Sequence, residues 1–171
     1  MLKLVNVFEM DYNAIVYYRL SFIRNYREMS FSLYNARYGN EKPYYDYLIQ
    51  NGIRNIYFLV DDNNSNYILG DCYLDAYLDY HIDVLDRGAI SYAVRPNERN
   101  KGYGTKMLEL LLEKCKELEM EEVCVSCHAN NIYSKKIIEN NGGILEKSFN
   151  DLNLIGLKYW IKLEKEKVYK E

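Results

Sequence analysis

Hydrophobic and polar positions change period several times along the chain, and each change marks an element. Leu2 and Leu4, with Val5 and Val7, predict a short first strand over residues 1–7. From 11 to about 27, Ile15, Tyr18, Leu20, Phe22 and Ile23 recur at roughly helical spacing, with Asp11 placed to cap the start. Residues 30–40 carry no legible pattern. Pro43 then opens a stretch that closes in Asn51-Gly52, the bracket of a second helix. Residues 55–60 predict a strand, the polar run 61–66 a turn, and 67–73 a returning strand, together an antiparallel hairpin.

The next run mixes two signals. Leu74, Tyr77, Leu78, Ile82 and Leu85 fall at helical spacing, while Asp71, Asp75, Asp79 and Asp83 fall four apart. A short helix with a solvated acidic face explains both. The sharper reading is an acidic lip that attracts a cationic substrate. Residues 88–94 predict a strand with Ile90, Tyr92 and Val94 on one face and the small Ala89, Ser91 and Ala93 on the other, stopped by Pro96. Met107, Leu108, Leu111, Leu112, Cys115 and Leu118 make one unbroken stripe, so 103–118 is the strongest helix. A strand over 123–128, a helix over 131–141 closed by Gly142-Gly143, and strands over 144–149 and 156–163 follow, before a charged tail.

Composition narrows the classes. With 171 residues, 49% apolar and 27% charged, the chain reads as one domain over 1–171 with a sizeable core. A net charge of -3 argues against a nucleic-acid binder. No apolar run approaches the roughly 20 residues that cross a bilayer, and the first residues lack a secretory pattern, so a cytoplasmic location is expected. The 19 tyrosines read as amphipathic rings at core edges rather than a binding surface. Cys124-Val125-Ser126-Cys127-His128 fits the C-x-x-C-H pattern of haem attachment. On a strand, however, residues three apart point to opposite faces. His81 and Cys72 lack the paired spacing that zinc would need, so no metal is expected and the four cysteines read as free thiols.

One run is not explained by core packing. Arg99-Asn100-Lys101-Gly102-Tyr103-Gly104-Thr105 joins the strand to the strongest helix. Gly102 and Gly104 open backbone angles closed to other residues. A helix start presents N–H groups without intrahelical partners, which favour anions, and Arg99 and Lys101 add positive charge. The run suits a pyrophosphate; the bland alternative is a plain strand-to-helix turn. A P-loop is absent, and Met107 stands where a dinucleotide fingerprint needs its third glycine.

On these residues the chain resembles the GNAT superfamily of acetyl-CoA-dependent N-acetyltransferases. Arg99, Gly102 and Gly104 fill the three fixed places of its [RQ]-x-x-G-x-[GA] signature. Asn131, Ser134 and Gly142 match its second cofactor segment, and the element order agrees from about 55 to 163. Wording such as "GAISYAVRPNER" is similar to a subgroup of uncharacterised bacterial members. The resemblance implies an α/β (α+β) fold: a mixed, mostly antiparallel central sheet with two splayed parallel strands, flanked by helices. It implies acetyl-CoA as cofactor, held by Tyr92, Val94, Arg99, Asn100, Lys101, Gly102, Tyr103, Gly104, Thr105, Asn131 and Ser134. The pantetheine arm would lie between strands 90–94 and 123–128, with a backbone N–H near Val94 meeting the thioester carbonyl. The acceptor would be a small-molecule or peptide amine, of cationic character if the acidic run faces it. Neither nucleic acid nor membrane is expected as partner, and a homodimer is left open.

The chain departs from the family at one consequential place. The Tyr that many members carry seven residues after the Asn is Ile138 here, which transfers no proton, and Gly143 replaces a usual aromatic. Tyr133, His128 and Tyr92 are the substitutes considered for the acid, with Asp83 and Asp86 for the base. The departure also admits a second reading, an acyl-CoA-binding sensor of the same fold without chemistry. A third is an unrelated α/β interaction domain.

Overall fold

The structure is a computed structural model, and it describes residues 1–23, 49–50, 55–75 and 88–164. Strand β1 (Leu2–Asn6), helix α1 (Tyr12–Ile23) and strands β2 (Asn55–Asp61), β3 (Gly70–Leu74) and β4 (Ile90–Val94) come first. A 3-10 turn (Pro96–Glu98) leads to helix α2 (Tyr103–Glu117), strand β5 (Glu122–His128), helix α3 (Ile132–Asn140) and strands β6 (Ile144–Asp151) and β7 (Leu154–Lys162). The mixed α+β class is the expected one, and every ladder among the described residues is antiparallel.

The strands fall into two sheets, ordered β1-β2-β3-β4 and β5-β7-β6. Helices cover the first sheet on both faces. Ala14, Ile15, Tyr18 and Phe22 of α1 pack on Ile56, Phe58 and Val60, while Leu59 enters the core beneath α2. Burial on two faces is why β2 reads as a continuous apolar run rather than an alternation. The stripe on α2 buries Met107, Leu108, Leu111, Leu112 and Cys115 against Leu74 and Ile90 of the first sheet. It also reaches Val123, Val125, Leu157, Tyr159 and Ile161 of the second. Each such side chain contributes roughly 1.5–3 kcal/mol by leaving water, so α2 is the main tie between the sheets.

Local chemistry sets the element ends. Asp11 Oδ1 accepts from the Ala14 N–H at 3.0 Å, the expected cap of α1. The returning strand β3 begins at Gly70, three residues later than the pattern suggested, because the turn is longer. Asp61 Oδ1 binds the Asn63 N–H, and the Tyr67 N–H bonds the Asn64 carbonyl. Helix α2 stops at Glu117, which leaves Leu118 outside the stripe and 46% exposed. Strands β6 and β7 each run two residues further into their hairpin than expected, meeting at Leu152 with positive φ.

One expectation needs correcting. Asp71 does not belong to a helical acidic stripe with Asp75. It lies in β3, only 3% exposed, and accepts a hydrogen bond from the Tyr18 hydroxyl of α1 at 2.5 Å. A spacing of four placed it on a helix, but its strand neighbours decide. Of the second helix only residues 49–50 are described, and they are helical; Asp79, His81, Asp83, Asp86 and the tail from 165 onward lie outside the described residues.

Candidate functional site

Among the described residues no ladder connects β4 to β5. They touch near their starts, where the Ala89 N–H donates to the Cys124 carbonyl at 2.8 Å and Gly88 bridges Val125. Gly88 has φ of +72°, and a Cβ there would lie 2.8 Å from the Ser126 nitrogen and 3.0 Å from the Val125 Cα. Only glycine lets the chain come this close to β5 and turn into β4.

Hydrogen-bond phase shows what faces the gap. In an antiparallel pair, alternate residues exchange bonds with the partner and the others turn their peptide groups away. The Asp75 N–H donates to Ala89, and the Arg95 N–H to Leu69. Ser91 and Ala93 are therefore spent on β3, while Tyr92 and Val94 turn N–H and C=O toward β5. Across the gap the Leu163 N–H donates to Glu121 and the Ala129 N–H to Ile155, so Val123, Val125 and Cys127 bond β7. Cys124, Ser126 and His128 thus turn their peptide groups toward β4. The result is a seam between two edges, pinched at Gly88 and bordered by backbone donors and acceptors.

The glycine turn sits at the far end of that seam. Arg99 Nε donates to the Val94 carbonyl at 3.2 Å, which ties the turn to the end of β4. Asn100 and Gly102 adopt positive φ, 63° and 81°, and Gly102 is the N-cap of α2 with no side-chain cap bond. Nothing lies within 4 Å of a Cβ built on Gly102. The first intrahelical bond in this stretch is from the Lys106 N–H to the Gly102 carbonyl. The N–H groups of Gly102, Tyr103, Gly104 and Thr105 therefore precede the helix's own bonding. Gly104 has a different reason. It is buried, and its Cβ would meet Ile137 Cδ1 of α3 at 2.5 Å and Val94 Cγ2 at 3.5 Å, so it lets α2, α3 and β4 pack closely.

The charges at the turn are partly engaged. Lys101 Nζ binds Glu98 Oε2 at 2.8 Å, and the Tyr67 hydroxyl donates to Glu98 Oε1 at 2.9 Å. The Lys101 bond, then that of Tyr67, holds the Glu98 carboxyl below the usual range. Arg95 donates Nε to the Ile68 carbonyl and lies 4.2 Å over the Tyr67 ring, bracing the other side.

One side of the seam is closed by a hydroxyl pair. Tyr92 reaches from β4 to α3, its oxygen 2.6 Å from Ser134 Oγ. Burial pushes the Tyr92 phenol up to about 12 despite the Ser134 bond. It stays protonated through neutral pH, a hydrogen-bond donor but a weak acid. Cys127 lies beside this pair, its thiol raised chiefly by burial. Asn131 caps α3, accepting from the Ser134 N–H at 3.1 Å. Ile138 is fully buried in the main core.

The substitutes for the missing phenol differ in place. Tyr133 is 64% exposed on the first turn of α3. His128 ends β5, and its Nε2 lies 2.9 Å from Asp151 Oδ2 of β6. Asp151 gave no signal in the sequence, because the contact crosses a whole strand and depends on the register of β6 and β7. Both halves of the C-x-x-C-H pattern lie on β5, Cys124 buried and Cys127 half-buried, in opposite strand phase as expected.

Comparison with known proteins follows this geometry. Residues 10–144 match the model of the acetyltransferase (GNAT) domain. No curated protein matches the chain by sequence. Among solved structures, the ribosomal L7/L12 α-N-protein acetyltransferase RimL in complex with coenzyme A superposes with a TM-score of 0.67 at 15% identity. That match covers 95% of this chain and 94% of the other. The Salmonella typhimurium protein yncA, with its cofactor acetyl-CoA, gives 0.65 at 12% identity over 99% of this chain and 98% of its own. The ribosomal-protein-S5-alanine acetyltransferase from Vibrio fischeri gives 0.65 at 12% over 99% and 94%.

Proposed function

The chain belongs to the GNAT acetyltransferase family, and on that premise we propose that it transfers an acetyl group from acetyl-CoA to a primary amine of a small molecule or peptide, by direct attack with both reactants bound. One observation carries the reading: an uncapped, open helix start stands at the end of a seam whose two edges offer unladdered peptide groups. A phosphate-bearing head with an amide-rich arm fits that pair of features, whereas a plain structural turn needs neither. The same reading treats 1–171 as one domain, supported by α2 packing under both sheets.

Acetyl-CoA supplies an acyl group already activated as a thioester; the residues of the chain do the rest. The N–H groups of about Asn100 to Thr105 would hold the pyrophosphate, with Arg99 and Lys101 beside them. Peptide groups of Tyr92, Val94 and Ser126 would pair with the arm as with an added strand. The Val94 N–H, on the seam edge, would donate to the carbonyl oxygen as charge gathers there during attack. Ser134 and Tyr92 would close the side nearest α3. Asn131 contributes by holding the first turn of α3 in place. The acceptor then approaches from the face opposite α2, where His128 stands.

Two measurements test this together. Acetyl-CoA should raise the melting temperature, and a panel of small and peptide amines should include at least one that releases free thiol. A melting shift with no turnover on any amine would point instead to the sensor reading. No shift at millimolar acetyl-CoA would remove the cofactor assignment.

A further inference from the structure

We infer that His128 accepts the proton of the attacking amine and that Asp151 is its positioning residue. The inference rests on the acetyl-transfer reading above, but the pairing itself rests on geometry alone.

His128 and Asp151 lie on the two outer strands of a three-stranded sheet, β5 and β6, with β7 between them. Two strand spacings are about 9.6 Å, too far for these side chains to meet if a side chain of β7 stood between. The β7 residue opposite Asp151 is Leu154, and the one opposite His128 is Gly156. Gly156 pairs with Phe149 on its other side. The Phe149 ring fills the space where a Gly156 Cβ would be, and Gly156 is buried beneath it. Asp151 lies two residues beyond Phe149 and shares its face. With no Cβ on Gly156 the Phe149 ring sits over β7, and beside it, on the diagonal between the positions of Gly156 and Leu154, Nε2 of His128 comes within 2.9 Å of Asp151 Oδ2.

The chemistry of that contact is directional. An ionised carboxylate only accepts, so Nε2 carries the hydrogen and Nδ1 keeps its lone pair. The carboxylate fixes the tautomer and offsets the charge of the imidazolium once it forms. Both side chains are 42% exposed, which leaves the ring reachable by an acceptor. His128 also belongs to the residues whose peptide groups face the seam, at the end away from the Gly88 pinch. Its side chain is in opposite phase to Cys127, which packs on the α2 core, so it rises on the other face of the sheet. By register Glu122, Lys162, Lys147 and Lys158 share that face, and Lys158 is paired with Glu146 at 3.0 Å.

The neutral amine nitrogen bonds to the acyl carbon and gives one proton to Nδ1 of His128. The C–S bond breaks and the sulfur leaves with the electron pair as thiolate. The imidazolium then releases its proton to water, and nothing is oxidised or reduced.

The test uses the whole chain, with acetyl-CoA and an amine found active in the panel. His128→Gln should lower kcat about 100-fold, within the usual worth of a general base, with acetyl-CoA binding unchanged within twofold. Asp151→Ala should lower kcat about tenfold, and Asp151→Glu should recover part of it. In His128→Gly, added imidazole should restore rate, which a purely structural histidine would not allow. Independently of turnover, nitrogen NMR of the His128 ring should show the Nε2–H tautomer in the native chain and a mixture in Asp151→Ala. Unchanged kcat in His128→Gln, or a loss confined to KM, would overturn the chemical role. An unchanged tautomer in Asp151→Ala would overturn the positioning role. Binding of acetyl-CoA without turnover of any amine, with the tautomer as expected, would overturn the acetyl-transfer reading and the chemical role while sparing the pairing.

Discussion

The starts of α2 and α3 make an instructive pair. Both follow a strand, both open toward the same seam, and both carry residues that match a cofactor signature. Yet α3 is capped: Asn131 gives its side-chain oxygen to the Ser134 N–H, so one of its early donors is already used. Helix α2 has glycine in the equivalent place, in a left-handed conformation and with no side chain to offer. The α2 start has no side-chain cap bond, and the space around Gly102 is clear. A capped start stabilises its own helix; an uncapped one keeps its dipole end for something else. On the proposed reading the two matched segments therefore do different work, one binding and one supporting.

The comparison can be broken by substitution. The largest effect should come from Gly104→Val, because the added atoms run into Ile137 and Val94. A loss of about 3 kcal/mol in unfolding free energy is expected from overpacking, read by urea denaturation without ligand. Gly102→Val meets no neighbour but forces a β-branched residue to φ of 81°. Here acetyl-CoA binding, by calorimetry, should weaken roughly tenfold, or about 1.4 kcal/mol, as the turn moves to relieve strain. Native affinity in that variant would contradict the phosphate placement. Asn131→Ala should cost about 1 kcal/mol of stability through the lost cap and leave acetyl-CoA affinity within threefold. A larger fall in affinity would show that Asn131 touches the cofactor after all.

Much of this molecule could be read before its shape was known, and the failures are specific. Elements with an unmixed pattern were legible: α2 from its long stripe, and β5 from a short apolar run. The glycine turn stood out because core packing does not explain it, though alone it fitted a plain strand-to-helix turn equally well, and the family resemblance needed the second segment and the element order. Asp71 misled because its spacing from Asp75 coincides with a helical period, whereas its buried partner, the Tyr18 hydroxyl, lies 53 residues away. The purpose of Gly104 was hidden for the same reason: its neighbour Ile137 belongs to another helix. Asp151 and Gly156 were invisible as partners of His128. That contact needs two registers, β5 on β7 and β6 on β7, and a register slip of one residue would turn the side chains to opposite faces. Local grammar thus announces elements and turns, while contacts across strands have to be seen.

The pinch at Gly88 has a mechanical consequence. Two plates that meet at one point near a common end and share a rod beneath can spread like the jaws of a peg. The rod is α2, and whatever occupies the mouth would add the rungs that the jaws lack. Loading would thus stiffen the protein as well as supply the reaction, and the empty form would be the looser of the two.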